Sequence, residues 1–145
     1  MKINVALFLL CCITFSYGQE PSVSFENRSS FFPEYPAIDE DPSLSWGFLT
    51  VPENWAVPKA RSLKLAVARL KNTSGKSDAE AILMIEGGPG AGAIEGMGYW
   101  LQHPLRSDHD IILLDTRGTG FSEPRLCPDV GQSILQVLAK DQSAE

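Results

Sequence analysis

The sequence predicts an α/β fold, on three observations. Two short apolar runs, Ile82-Leu-Met-Ile-Glu-Gly-Gly-Pro-Gly-Ala-Gly92 and Ile111-Ile-Leu-Leu-Asp-Thr-Arg-Gly-Thr-Gly-Phe-Ser122, each break abruptly into a glycine-rich turn. A buried strand reads this way when its carboxyl end opens into a loop that must approach something closely. The segment between them has room for one helix, the crossover that parallel strands require. Ahead of both, an alternating stretch reads as a hairpin. Such a unit sets both glycine loops at the carboxyl ends of strands, where open α/β sheets bind ligands.

Residues 1–18 read as a secretory signal. Lys2 gives a short positive start and residues 5–15 an apolar run; Ser16 and Gly18 are small residues placed for cleavage after Gly18. The run is shorter than the roughly 20 residues of a comfortable membrane span, so no stable span is expected. Cys11 and Cys12 raise a lipoprotein signal, but Leu10 or Cys11 stands where a small residue is needed. The expected location is secreted or periplasmic.

Residues 19–44 are polar and without regular periodicity, and are expected to form an extended lead-in that Phe31, Phe32 and Tyr35 can anchor. Residues 45–51 and 62–70 read as the hairpin, at a sheet edge. Leu63, Leu65, Val67 and Arg69 alternate with Lys64, Ala66, Ala68 and Leu70. Residues 72–80 form a polar loop. Residues 81–85 and 110–114 lack polar alternation, as strands covered on both faces do. Residues 96–105, bounded by Pro104, suit a short crossover helix. Residues 130–140 place Val130, Ile134, Leu135, Val137 and Leu138 on one helical stripe.

The chain of 145 residues carries a net charge of −6 and no basic run, a poor match to nucleic acid. With the signal removed, Cys127 is the only cysteine left. Two readings stand for it: a disulfide whose partner lies beyond Glu145, or a buried free thiol. Asn27-Arg-Ser29 and Asn72-Thr-Ser74 have the form of glycosylation sequons. Trp46, Trp55 and Trp100 are expected in the core or a pocket wall. Gly88-Pro-Gly-Ala-Gly-Ala93 also fits a relaxed dinucleotide loop, with Asp115 ending the next strand. Pro89 in the turn, the strands ahead of it and the secretory start argue against that cofactor. His103 and His109 lack metal-ligand spacing, and no metal or cofactor is expected.

Glu86-Gly-Gly-Pro-Gly90 resembles the oxyanion loop of the prolyl-aminopeptidase and tripeptidyl-aminopeptidase branch of the α/β-hydrolases. Asp115-Thr-Arg-Gly-Thr-Gly-Phe-Ser-Glu-Pro124 is similar to the Asp-x-Arg-Gly-x-Gly-x-Ser segment after that family's next strand. Trp46-Gly-Phe-Leu-Thr-Val-Pro52 and Leu63-Lys-Leu-Ala-Val-Ala-Arg69 resemble its opening hairpin. Prolyl aminopeptidases have His where this chain has Glu86, which tilts the likeness toward the tripeptidyl members.

The resemblance implies the N-terminal part of an α/β-hydrolase domain over residues 45–145, incomplete because such folds run to roughly 250 residues. It implies a secreted serine aminopeptidase acting on a peptide or small acyl substrate. The Gly88 backbone N–H, beside Gly87, would stabilise the oxyanion. Pro89, Gly90, Asp115, Arg117, Gly118 and Gly120 would shape the loops, with Asp115 and Arg117 tied as an ion pair. Glu86 would either hold a substrate's amino terminus or pin the loop. The nucleophilic Ser, its His and its Asp are not in this chain: no Gly-x-Ser-x-Gly occurs, and Ser122 lacks the flanking glycines of a nucleophile elbow. These residues alone are therefore expected to be inactive. An esterase on the same fold, or a non-catalytic secreted binding module, is the alternative. The module would leave an exposed edge beside residues 110–114.

Overall fold

A computed structural model describes residues 22–88, 90–126 and 129–141. The expected signal, Pro89 and Cys127 lie outside the described residues. Five strands form one mixed sheet: β1 (Ser24–Arg28), β2 (Leu44–Pro52), β3 (Ser62–Leu70), β4 (Ala81–Met84) and β5 (Asp110–Leu114), in the order β1-β2-β3-β5-β4. The described residues also form helices α1 (Pro36–Asp39), α2 (Met97–Leu101) and α3 (Val130–Asp141). Among the described residues, no helix is long and apolar enough to cross a membrane.

The hairpin forms as read, with Leu44 opposite Leu70 and Pro52 opposite Ser62. It does not lie at the sheet edge. The lead-in supplies β1, which pairs antiparallel with β2 from Ser24 opposite Thr50 to Arg28 opposite Trp46. β3 runs antiparallel to β5, and β5 parallel to β4. The chain thus crosses over from β4 to β5 and inserts β5 between β3 and β4. The crossover is shorter and more broken than one helix: a 3-10 turn (Ile94–Gly96), α2, then a second 3-10 turn (Pro104–Ser107).

Two expectations about strand burial need correction. β5 is well covered, but β4 is not: Leu83 is 54% and Ile85 50% exposed. Among the described residues β4 ends the sheet and pairs only with β5, so its apolar run marks a half-covered edge. The exposed edge accordingly belongs to β4, since β5 has a partner on each side.

Alternation in β3 buries Ala66, Ala68 and Leu70, whose register partners include Trp46, Phe48, Ile111 and Leu113. These meet Ile94, Met97 and Trp100 of the crossover on one face of the sheet. Trp46 and Trp100 are core residues as expected, whereas Trp55 is exposed. Phe31 does anchor the lead-in. Its ring stacks on Phe121 at 4.9 Å and meets Trp46 and Phe48 edge-on at 5.8 and 5.5 Å. Aromatic pairs of this geometry contribute about 0.5–1.5 kcal/mol beyond their area. The predicted stripe on α3 is present, yet Ile134, Leu135, Val137 and Leu138 are exposed.

A polar cluster closes the amino end of β5. Oδ1 of Asp110 accepts from the Asn72 backbone N–H at 2.8 Å and from Asn72 Nδ2 at 2.9 Å. Its Oδ2 accepts from Arg69 Nε at 2.9 Å and from the same guanidinium's Nη2. Asn72 Nδ2 also donates to the Lys76 carbonyl, so the second sequon's amide is spent inside the fold, while Asn27 is exposed on β1. Burial pushes the Asp110 carboxyl up, but the Asn72 and Arg69 interactions together outweigh it and hold it below its ordinary value. Asp41 is lowered too, first by its hydrogen bond from the Ser43 hydroxyl.

A carboxyl whose folded pKa lies below its unfolded value near 3.9 stabilises fully above that pH and loses the contribution as pH falls through the folded value. Stability is therefore expected to decline below about pH 4. Asp110→Asn, which cannot ionise, should flatten part of that decline in urea midpoints measured from pH 6 to pH 2. An unchanged slope would remove Asp110 from the account.

Candidate active site

The two glycine loops follow neighbouring parallel strands and emerge side by side. Met84 is the register partner of Leu113, so the loops begin at the same height. They touch backbone to backbone: a Cβ on Gly92 would come within 2.8 Å of Gly120 Cα and 3.0 Å of Asp115 Oδ1. Glycine at both positions is what lets the loops approach this closely.

Asp115 lies at the centre of this junction and is 0% exposed. Its Oδ1 accepts from the Ile94 N–H at 3.0 Å, and its Oδ2 from the Phe121 N–H at 2.8 Å. The first of these N–H groups opens the crossover's 3-10 turn. Such a terminal donor has no partner within its own turn, and the local capping residue, Ala93, offers no side-chain acceptor. The cap arrives instead from the end of the neighbouring strand.

The main chain of Asp115 is fixed as well. Its N–H donates to the Ala66 carbonyl at 3.0 Å, and its carbonyl accepts from Ser122 Oγ at 2.7 Å. That same hydroxyl accepts from the Ala66 N–H at 2.9 Å. Ser122 is buried with both roles of its hydroxyl in use, which makes it a pin between loop and sheet. The segment then rejoins β3, where Lys64 and Glu123 exchange backbone hydrogen bonds of 3.0 and 2.8 Å.

An Asp115–Arg117 ion pair is not found. Arg117 is exposed, and the acid takes its partners from backbone N–H groups. A buried acid two residues from an exposed base cannot share its environment, and short-range amides win. Gly118 and Gly120 hold positive φ angles of 79° and 48° through the turns of this loop.

The first loop is more open. Gly87, Gly88 and Gly90 are exposed, with φ of 89° at Gly88 and 97° at Gly90. Among the described residues, no acceptor takes the Gly87 or Gly88 N–H. Glu86 is exposed and, among the described residues, has no bonding partner, whereas Asp115 is hydrogen-bonded to both loops.

His103 and His109 stand apart from these loops in their bonding. His103 Nδ1 caps the second 3-10 turn by accepting from the Leu105 N–H at 3.2 Å. Nδ1 of His109 is buried with no hydrogen-bond partner among the described residues.

No protein-family model matches the chain. Over 99 aligned residues it is 32% identical to a tripeptidyl aminopeptidase of Streptomyces lividans, an alignment covering 59% of this chain and 17% of the relative. The figures are the same for a tripeptidyl aminopeptidase of Streptomyces coelicolor (strain ATCC BAA-471 / A3(2) / M145). The chain spans less than a fifth of the length of these curated relatives. The similarity, distant and partial, is to proteins that are peptidases by name.

Proposed function

We propose that this chain is the oxyanion-loop portion of a secreted serine aminopeptidase of the α/β-hydrolase type. The observation that carries the reading is the exposed Gly88, whose N–H no acceptor among the described residues takes, on a loop that Asp115, just past the neighbouring strand, holds at Ile94. Counting from β2, this loop follows the third strand, the place from which α/β-hydrolases supply one oxyanion donor. The similarity to tripeptidyl aminopeptidases supports a peptide substrate.

In that reaction a Ser hydroxyl adds to the scissile carbonyl while a His takes its proton. The carbonyl oxygen becomes an oxyanion, and the Gly88 N–H donates to it. The intermediate collapses as the leaving amine receives the proton from His, and water then releases the acyl group. Losing one oxyanion donor typically costs about 10²–10³ in kcat. Glu86, exposed and next to the donor glycines in sequence, would accept from the substrate's ammonium group.

The test is hydrolysis of a tripeptide–chromophore amide, free or acetylated at its amino end, by the complete product of the gene. Cleavage of the free substrate alone is expected, and Glu86→Gln should narrow the preference. Absence of amide cleavage together with ester cleavage would favour the esterase reading.

A further inference from the structure

The loop that bears Gly88 leaves β4 after Met84 and re-enters regular structure at Ile94. Among the described residues, the one other backbone bond at this loop is local to its far end, from the Gly96 N–H to the Ala93 carbonyl at 3.1 Å. Among the described residues, the bond from Ile94 to Asp115 is therefore the loop's one hydrogen-bonded tether to the rest of the sheet. The contact of Gly92 with Gly120 limits its movement in the opposite direction.

We infer that Asp115 is a positioning residue for the proposed oxyanion donor. Resting on that reading, its carboxyl group fixes the height of the Gly88 N–H by holding Ile94 with one oxygen and Phe121 with the other. The acid touches neither substrate nor the reacting atoms. It makes the two loops one rigid body, so a donor on the exposed loop inherits the rigidity of a buried one.

The separation of functions is physical. A single carboxyl group can accept from two N–H donors facing it from different loops. The amide of an Asn can accept from one and must turn its NH2 toward the other. One loop is then released, and a misplacement near 1 Å in an active site costs about 10²-fold.

Asp115→Asn in the complete gene product should lower kcat by about 10–100-fold with KM within about threefold, because ground-state binding is retained. Turnover is expressed per active site titrated with a fluorophosphonate, which removes any loss of folded protein. Gly92→Ala keeps the carboxyl group but drives a Cβ against Gly120 and should give the same split. Asn72→Ala is destabilising at the opposite end of β5 and should leave turnover per titrated site within about twofold, since distant sites act independently. Hydrogen exchange of residues 85–96 should rise in Asp115→Asn and not in Asn72→Ala.

Turnover per titrated site that is unchanged in both Asp115→Asn and Gly92→Ala overturns the positioning role while leaving the peptidase reading in place. A wild-type protein that neither labels nor cleaves overturns the peptidase reading and the inference together.

Discussion

Gly120→Ala is expected to remove about 3–6 kcal/mol of stability, a large part of the 5–15 kcal/mol available to a typical domain. Two effects add. The residue holds φ of 48°, and a Cβ in the left-handed region costs roughly 1–2 kcal/mol. The new Cβ would also overlap the carboxyl group of the fully buried Asp115, which would have to move. If the acid turns away, Ile94 and Phe121 keep buried N–H groups without acceptors, at about 1–3 kcal/mol each.

Gly75→Ala is the internal comparison. Its φ of 73° is equally left-handed, but a Cβ there meets nothing within 4 Å. That variant should lose only the backbone term, about 1–2 kcal/mol. Urea unfolding of both variants separates strain from collision. Equal losses would mean that the carboxyl group yields freely, and the rigid junction described above would be wrong.

How much of this was legible depends on where the information sits. The apolar runs at Ile82 and Ile111 announce strands, and their glycine turns announce the loops. The order of the strands was not legible. Nothing local in residues 81–85 distinguishes a central strand from the sheet's last one, so the exposure of Leu83 and Ile85 followed only from pairing. β1 was missed for a related reason. Ser24 to Arg28 carries one apolar residue and is exposed throughout, and it is a strand because β2 offers it backbone partners.

Within the site, the residues were visible but their bonds were not. Asp115 invited a charged partner two positions away, since sequence displays near neighbours. Its actual partners are amides that belong to every sequence and mark none, 21 and 6 positions away. Glu86 carries two readings in the sequence, and the structure shows it exposed with no bonding partner among the described residues.

The second large effect belongs to a residue with no sequence signal at all. Arg106→Met is expected to cost about 3–5 kcal/mol, the range for removing one member of a buried charged hydrogen-bond network. Arg106 is buried in the turn before β5. Its Nε donates to the Lys71 carbonyl at 2.9 Å, Nη1 to the Leu101 carbonyl at 2.9 Å, and Nη2 to Ser43 Oγ at 2.6 Å. One planar group therefore joins the end of β3, the end of α2 and the turn before β2. Ser43 passes the link on, since its hydroxyl donates to Asp41 Oδ1 at 2.6 Å.

Methionine fills much of the same volume, so cavity formation contributes little and the loss reports three abandoned acceptors. Lysine keeps the charge but not the fork. A single ammonium cannot reach three acceptors set in different directions, so Arg106→Lys should recover less than half of the loss. Full recovery by lysine would show that charge, through its attraction to Asp41, outweighs geometry. The expected failure of lysine instead identifies the guanidinium's shape as what holds the crossover against the hairpin, and so keeps β5 between its two neighbours.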